Sequence, residues 1–154
     1  IGFDIHRLIK NKKLFLGGIN IPFHSGLKGH SDGDVILHSI IDALLGAMRK
    51  KDIGTFFPDN KNKFKNIRSP NMLKPIIEIL NKNNFYINNL DINLICEQPK
   101  VSKYRDKILK SLSNLLKLDK DLINLKGKTV EKLGLIGKEK AIACEVIVSL
   151  NKHD

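Results

Sequence analysis

Residues 29–38, Gly-His-Ser-Asp-Gly-Asp-Val-Ile-Leu-His, decide how this chain folds, because a glycine-rich loop changes into a helix within them. After the loop, apolar residues recur at helical spacing, at Leu37, Ile41, Leu44, Leu45 and Met48. Ser31, with Asp34 three residues later, is a variant of the capping box, so we expect Ser31 to cap this helix. The alternative for Ser31 is a hydrogen bond to a phosphate oxygen, since a helix N-terminus attracts anions.

His30 precedes the predicted helix. An exposed imidazole at this place can donate a hydrogen bond to a developing negative charge. A plain surface histidine fits the local sequence equally well.

A second group of residues, on the first predicted strand, adds a candidate metal site. Asp4 and His6 are two residues apart, so on a strand they project from the same face, and Ile5 is expected to face the core. His38 lies beside the apolar face of the helix and is expected to point inward. Taken alone, His38 is more simply a core histidine that is hydrogen-bonded to a neighbour.

Together, Asp4, His6 and His38 form a set of two histidines and one carboxylate, which is typical of catalytic zinc with an open fourth position. Asp34 and Asp42 lie four residues before and after His38, on its side of the helix. Either carboxylate is a candidate to orient the imidazole.

Late in the chain, residues 126–131 (Lys-Gly-Lys-Thr-Val-Glu) place cations, a hydroxyl and a carboxylate at the end of a predicted strand. Glu131 can hold a hard cation such as magnesium, or it can open a helical turn. The Gly-Lys-Thr here lacks the earlier glycine of a phosphate-binding P-loop.

The remaining pattern predicts an α+β fold in which one sheet is layered against helices, as a single catalytic domain over residues 1–154. We expect strands at 1–8, 86–97, 122–128 and 141–150, a hairpin at 13–23 around Gly17-Gly18, and helices at 70–80 and 101–116. Residues 25–32 and 52–70 are expected to be loops, and the second is long enough to be functional or mobile.

Composition narrows the class of protein further. Hydrophobic residues make up 42% of the chain, and no apolar run approaches the length of about 18 residues that spans a bilayer. Cys96 and Cys144 lie in apolar runs without metal-binding spacing, so we expect buried free thiols. The net charge of +11 invites a nucleic-acid-binding interpretation, but the excess is largely Lys mixed with Asn in polar stretches. A basic surface also helps to collect an anionic substrate.

The order of these motifs resembles the 2-C-methyl-D-erythritol 2,4-cyclodiphosphate synthase family of the non-mevalonate isoprenoid pathway, nearly end to end. The block His30-Ser31-Asp32-Gly33-Asp34-Val35 with His38 downstream is the most specific part. Further matching segments are 2–6, 17–19, 21–22, 26–29, 42–47, 52–54, 57–59, 98–100, 131–134 and 141–143.

The resemblance implies a homotrimer of small α+β subunits with active sites at the subunit interfaces. It implies a phosphorus–oxygen lyase that cyclises 4-diphosphocytidyl-2-C-methyl-D-erythritol 2-phosphate to 2-C-methyl-D-erythritol 2,4-cyclodiphosphate and releases CMP. The implied cofactors are zinc or a similar divalent metal and magnesium or manganese. The partner is a nucleotide-linked small molecule, with neither nucleic acid nor a membrane involved.

The resemblance also implies roles for single residues. It assigns the zinc to Asp4, His6 and His38, the magnesium to Glu131, and transition-state stabilisation to His30 and Thr129. The implied substrate contacts are Ser31 in the phosphate-facing loop, then Asp52, Ile53, Gly54, Phe57, Pro58 and Asp59 for the methylerythritol part, and Cys96, Pro99, Lys100, Val101 and Ser102 for the cytosine.

Three positions depart from the family pattern. Lys128 stands where the first threonine of a Thr-Thr pair is usual, and Leu135 replaces an aromatic residue. Lys138 replaces an arginine and supplies a charge without the bidentate fork. We expect Lys128, Leu135 and Lys138 to remain near the substrate, with altered individual contacts.

Two rival functions stay open at this point. A zinc-dependent phosphohydrolase would use the open metal position to activate water. A basic nucleic-acid-binding module would bind DNA or RNA in a salt-sensitive way that does not need His38. The absent initial methionine and the Asn/Lys-rich stretches favour a plastid-type organelle, with the transit peptide absent from this chain, over the bacterial cytoplasm.

Overall fold

The first strand, β1 (Gly2–Lys10), runs through a five-stranded sheet and carries two of the candidate metal ligands. The computed structural model describes residues 1–153. Its other strands are β2 (Leu14–Leu16), β3 (Ile19–Ile21), β4 (Ser25–Leu27), β5 (Phe85–Ile95), β6 (Ile123–Lys128) and β7 (Ala141–Lys152). The sheet has the order β4-β1-β7-β5-β6, and β2 and β3 form a separate hairpin. All pairs are antiparallel except β5 with β6.

Five α-helices connect these strands: α1 (Val35–Ala47), α2 (Ile53–Phe56), α3 (Ser69–Lys82), α4 (Arg105–Leu116) and α5 (Gly134–Gly137). Single 3₁₀ turns occupy Asn62–Phe64, Val101–Lys103 and Lys120–Leu122. None of the helices in residues 1–153 is long and apolar enough to span a membrane.

Helix α1 forms the centre of the core and packs against β1 and β7. Its side chains Ile36, Leu37, Ile40, Ile41, Leu44 and Leu45 are all fully buried. Gly2 permits this contact, because a Cβ atom at that position would lie 2.0 Å from the carbonyl oxygen of Ser39. The residue type at the start of β1 therefore sets how closely the ligand-bearing strand approaches the helix.

The outer face of the sheet carries apolar side chains that the helices do not cover. Phe3 is 56% exposed, Ile5 44% and Ile147 58%. The prediction of a sheet with one layer of helices is confirmed. The prediction that Ile5 faces the core is wrong, because Asp4 and His6 take the helix-facing side of β1 and alternation turns Ile5 outward.

Asp34, rather than Ser31, caps α1, so the predicted capping box is wrong. The Asp34 carboxylate accepts hydrogen bonds from the N–H groups of Ile36 and Leu37 at 3.2 Å each. It also accepts from Gly17 at 2.9 Å and Gly18 at 2.7 Å, in the turn between β2 and β3. Burial raises the pKa of this carboxyl, and the N–H donors oppose that increase.

The predicted strands and helices are all present, and the differences lie at their boundaries and in segments that were predicted as loops or left unassigned, such as α5. Residues 25–27 form β4 instead of loop, and the predicted loop at 52–70 contains α2 and a 3₁₀ turn. Helix α4 starts at Arg105 instead of Val101, because residues 101–103 form a separate 3₁₀ turn. Both cysteines are buried free thiols, as predicted, and burial raises the pKa of Cys96 to about 11.

We predict that Asp34→Ala lowers the free energy of unfolding by about 3 kcal/mol, because it removes a helix cap and leaves the N–H groups of Gly17 and Gly18 without their acceptor. Urea unfolding followed by circular dichroism measures this change. The matched control is Asp119→Ala, at an exposed cap of a 3₁₀ turn, where a loss of about 0.5 kcal/mol is expected. Equal losses in the two variants would contradict this role of Asp34.

Candidate active site

Asp4, His6 and His38 converge at the interface between β1 and α1. Asp4 Oδ2 lies 2.9 Å from His6 Nε2 and 2.9 Å from His38 Nδ1, and the two imidazole nitrogens are 3.3 Å apart. The other carboxylate oxygen of Asp4 accepts the N–H of Ile5, so its orientation is fixed. The structure thus brings together the three residues that the strand and helix patterns predicted.

The donor set fits a tetrahedral divalent metal. Metal–ligand bonds of about 2.0 Å in tetrahedral geometry place two ligand atoms about 3.3 Å apart, close to the observed separations. One ligand atom from each side chain falls in a single group whose members lie within 4.8 Å of one another. Two neutral imidazoles and one carboxylate leave a fourth coordination position for a substrate oxygen or water.

Asp4 and His38 shift each other's pKa in the directions that favour a negative carboxylate beside a positive imidazolium. Burial alone would raise the pKa of Asp4, but its contacts with His38 and His6 outweigh this and hold the pKa well below its usual range. For His38 the direction is opposite: burial would lower its pKa, and the Asp4 carboxylate raises it. A cation at this place is therefore stabilised by Asp4, whether it is an imidazolium or a metal ion.

The second nitrogen of His38 faces two hydroxyl groups. Its Nε2 lies 3.0 Å from Ser31 Oγ and 3.0 Å from Ser69 Oγ. Neither Asp34 nor Asp42 is a hydrogen-bond partner of the imidazole, so the prediction that one of them orients His38 in this way is wrong. Asp34 is occupied by backbone N–H groups, and Asp42 accepts the N–H of Ile53 at 2.7 Å.

A cleft of about 210 Å³ opens over the three ligands. The predicted site residues that line it are Asp4, His6, His30, Ser31, His38, Ile53, Gly54, Phe57 and Asp59. Its apolar wall also includes Phe64, Ile67 and Met72, which the sequence interpretation did not single out. This mixture of polar and apolar lining side chains is compatible with a small molecule that carries both charged groups and a short carbon skeleton.

Two predicted contacts of this cleft, Asp52 and Pro58, are not among its lining residues. Asp52 instead caps α2, where its carboxylate accepts from the backbone N–H of Thr55 at 2.8 Å and from the Thr55 hydroxyl at 2.9 Å. These bonds lower the pKa of Asp52. Its contribution to the cleft is therefore to shape α2.

A second cleft, of about 230 Å³, lies at the end of β6. It is lined by Cys96, Pro99, Lys100, Val101, Ser102, Arg105, Gly127, Lys128 and Thr129. All predicted cytosine-pocket residues are present here, together with Lys128 and Thr129. Gly127 is required by close packing, since a Cβ atom there would lie 2.8 Å from Val101 Cβ.

Glu131 lies exposed in the loop that follows β6, outside both clefts. The carboxylate of Glu97 accepts the N–H groups on either side of it, from Val130 at 3.0 Å and Lys132 at 3.3 Å. Glu131 itself has a left-handed backbone with a φ of 53°. Leu135 and Lys138 are also exposed, in and just after α5.

The two clefts are well separated within one chain. Asp4 pairs with Cys144, Cys144 with Leu94, and Leu94 with Gly127, so these positions form one row across the sheet. Three interstrand spacings of about 4.8 Å place the backbones of Asp4 and Gly127 about 14 Å apart. Most candidate site residues therefore form two groups, one around the metal ligands and one around Thr129, whereas Glu131, Leu135 and Lys138 line neither cleft.

Ser69, Asp32 and Arg105 are functional candidates that the sequence interpretation missed. Ser69 and Asp32 contact one another next to His38, and Arg105 lines the second cleft. Nothing local marks Ser69, because it lies 31 residues from His38 at the first position of α3. Asp32 belongs to the glycine-rich loop 29–34, but its partners Arg68 and Ser69 lie more than 30 residues later in the chain, so the local sequence does not indicate these contacts.

The fold and the site define an α+β protein in which a candidate divalent-metal ligand group lies at a cleft. The sequence model of the YgbB family matches residues 1–151, and the chain belongs to this family.

Named relatives agree with that assignment. The bifunctional enzyme IspD/IspF of Pelagibacter ubique is 55% identical over the whole chain, which spans 42% of that protein. The 2-C-methyl-D-erythritol 2,4-cyclodiphosphate synthase of Caldicellulosiruptor bescii is 43% identical over 96% of this chain and 94% of its own length. The solved structure of Plasmodium falciparum IspF in complex with CDP is 42% identical, with a TM-score of 0.87 over 99% of this chain and 94% of its own. The predicted family resemblance is thus confirmed, and the chain spans about two fifths of the bifunctional relatives.

We predict that His38→Ala abolishes stoichiometric zinc binding while the fold persists, since two ligands remain and α1 keeps its cap. Metal analysis after dialysis against a weak chelator measures the zinc content. His24→Ala, at an exposed histidine away from the cluster, is the matched control and is expected to keep full occupancy. Undiminished zinc in the folded His38→Ala protein would exclude this site.

Proposed function

We propose that this chain is a phosphorus–oxygen lyase that converts 4-diphosphocytidyl-2-C-methyl-D-erythritol 2-phosphate to 2-C-methyl-D-erythritol 2,4-cyclodiphosphate and CMP, for isoprenoid precursor synthesis. The observation that carries the proposal is the convergence of Asp4, His6 and His38 at the floor of a cleft, in a chain of the YgbB family. The two clefts give further support. One contains most residues that the family resemblance implies for the methylerythritol part of the substrate, and the other contains those that it implies for the cytosine.

The reaction is an internal displacement at phosphorus. An oxygen of the 2-phosphate forms a bond to the β-phosphorus, and the bond from that phosphorus to the bridging oxygen breaks. CMP leaves with the electron pair. Both reacting groups belong to one molecule. Holding that molecule in an in-line geometry therefore lowers the free-energy barrier of the reaction by about 7 kcal/mol or more.

Two cations are proposed to assist this step. Zinc, or a similar divalent metal, would be held by Asp4, His6 and His38, and magnesium or manganese by Glu131 with the substrate diphosphate. When bound, these ions supply positive charge that offsets repulsion between the phosphates and polarises their oxygens.

The chain's own polar groups complete the electrostatic environment. His30 and Ser31 lie in the metal cleft and can donate hydrogen bonds to phosphate oxygens, and Thr129 can do so from the second cleft. Lys128 adds a point charge beside Thr129. Lys138 is proposed to reach the diphosphate from α5, with a single ammonium in place of the arginine fork.

The substrate would extend between the two clefts. Ile53, Gly54, Phe57 and Asp59 are proposed to hold the methylerythritol part, with Asp52 and Pro58 shaping that loop. Cys96, Pro99, Lys100, Val101 and Ser102 are proposed to hold the cytosine. Since the backbones of Asp4 in one cleft and Gly127 in the other are about 14 Å apart within one chain, we propose that the metal cleft of one subunit faces the nucleotide cleft of its neighbour.

The outer sheet face supports a homotrimer as the assembly that creates this arrangement. Phe3, Ile5 and Ile147 present apolar area to solvent from the adjacent strands β1 and β7. Contiguous exposed apolar surface of this kind is typical of a protein–protein interface. A cyclic trimer would bury it at the centre and bring neighbouring edges together.

Residues 1–154 are proposed to act as one catalytic domain. The bacterial relatives support the bacterial cytoplasm as its compartment, and a plastid-type organelle is the other proposal.

We predict that the protein converts the cytidine diphosphate substrate to CMP and the cyclic diphosphate, and that a strong chelator stops the reaction. Phosphorus NMR of the mixture, with and without chelator, distinguishes the products directly. Free inorganic phosphate in place of the cyclic product would support the phosphohydrolase alternative instead.

We also predict complementation between two inactive variants, His38→Ala in the metal cleft and Thr129→Val in the nucleotide cleft. If each site combines two subunits, random co-assembly leaves about a quarter of the sites with both functional halves. CMP release by the co-expressed, co-purified mixture measures this recovery. A mixed assembly as inactive as either parent would contradict a site shared between subunits.

A further inference from the structure

Ser69 connects a buried carboxylate to a metal-ligating histidine. Its side chain is fully buried at the first position of α3. Its hydroxyl hydrogen-bonds to Asp32 Oδ1 and lies 3.0 Å from His38 Nε2. The three side chains therefore form a continuous series that ends at the metal cluster.

The contacts of Asp32 determine the direction of the hydrogen bonds. Asp32 Oδ2 accepts from Arg68 Nε at 2.8 Å and from the Ser69 N–H at 3.0 Å, and Oδ1 accepts from the Asp34 N–H at 3.3 Å. Each of these partners is a donor, so Asp32 acts as an acceptor throughout. The single hydroxyl proton of Ser69 is therefore donated to Asp32.

Once that proton is used, Ser69 Oγ can only accept from His38. The Nε2 atom of His38 must then carry a hydrogen. In the neutral imidazole this leaves Nδ1 as the nitrogen with the free electron pair, and Nδ1 is the atom that faces Asp4 and His6.

We propose that Ser69, held by Asp32, is a positioning residue that selects the tautomer of His38 in which Nδ1 is available to the metal. A carboxylate that orients a metal-bound histidine is a common arrangement. Here a serine hydroxyl relays the orientation, because Asp32 has no direct contact with the imidazole. The inference rests on the metal centre proposed above and extends it beyond its three ligands.

A consequence follows for Ser31, whose Oγ also lies 3.0 Å from His38 Nε2 and accepts the N–H of Gly33 at 3.3 Å. Because Nε2 already carries a hydrogen, Ser31 cannot donate its own proton there. The Ser31 hydroxyl proton is left for the cleft that this residue lines, where it can reach an anionic oxygen. Ser69 thereby also orients the donor that Ser31 offers to a phosphate.

The test measures zinc affinity, which is independent of catalysis. The dissociation constant of metal-free protein for zinc is determined by competition with a coloured chelator. Ser69→Ala is expected to raise this constant about 10–100-fold, the usual range for loss of a group that orients a ligand. Ser69→Thr retains the hydroxyl and is expected to recover most of the affinity.

Ser39→Ala is the matched control. Ser39 is also fully buried and adjoins His38, but its hydroxyl donates to the carbonyl oxygen of Cys144 at 3.0 Å. This variant is expected to lose stability without a change in zinc affinity. Equal weakening in Ser39→Ala and Ser69→Ala, or in Ser69→Thr and Ser69→Ala, would assign the effect to packing and overturn the proposal.

A second measurement needs no variant. In the zinc-loaded protein, long-range ¹H–¹⁵N correlation spectra of the imidazoles report which nitrogen of His38 carries hydrogen. We expect a protonated Nε2 that is protected from exchange, and an unprotonated Nδ1. The opposite tautomer in the wild-type protein would overturn the role of Ser69. Failure of the wild-type protein to bind zinc at all would instead overturn the metal centre, and this inference with it.

Discussion

The buried carboxylate of Asp34 holds two separate parts of the chain together, and the geometry of the candidate site depends on this contact. It accepts N–H groups from the first turn of α1 and from the Gly17-Gly18 turn of the hairpin. Buried backbone N–H groups need acceptors, and the two oxygens of this carboxylate accept four such groups at once. The start of α1 is therefore fixed relative to the hairpin, and His38 follows one turn later.

The close approach of β1 to α1 completes the candidate metal centre. Gly2 allows the strand backbone to contact the helix at Ser39, and strand alternation then turns Asp4 and His6 towards the helix. Both ring nitrogens of His38 have hydrogen-bond partners: Asp4 at Nδ1, and the hydroxyls of Ser31 and Ser69 at Nε2. A buried imidazole with partners on both nitrogens can hold a single orientation, which a preorganised metal site requires.

The two candidate clefts lie at different strands of the sheet. The sheet places β7 and β5 between the strand that carries the ligands and the strand that leads to Thr129. Helices cover one face of the sheet, and the other face exposes Phe3, Ile5 and Ile147. The same arrangement thus divides the candidate substrate contacts and offers an apolar surface for assembly. The excess of lysine and arginine over acidic residues, a net charge of +11, favours the approach of a substrate with several phosphates.

The sequence by itself determined the main strands and helices and the three candidate ligands, because these depend on short-range periodicity. Residues that are two apart on a strand share a face, and this rule predicts that Asp4 and His6 lie together. The apolar spacing of α1 predicts that His38 points inward. The family resemblance supplied the residues of both clefts. Only the tertiary structure decided which side chains are hydrogen-bond partners and which face of each strand is buried. Ser31 was expected to cap α1 and instead contacts His38, while Asp34 takes the cap. Ile5 faces outward, and Ser69 reaches His38 across 31 residues of chain. Hydrogen-bond partners and buried faces depend on how helices and strands pack against one another. The spacing of residues along a short stretch of sequence does not determine that packing.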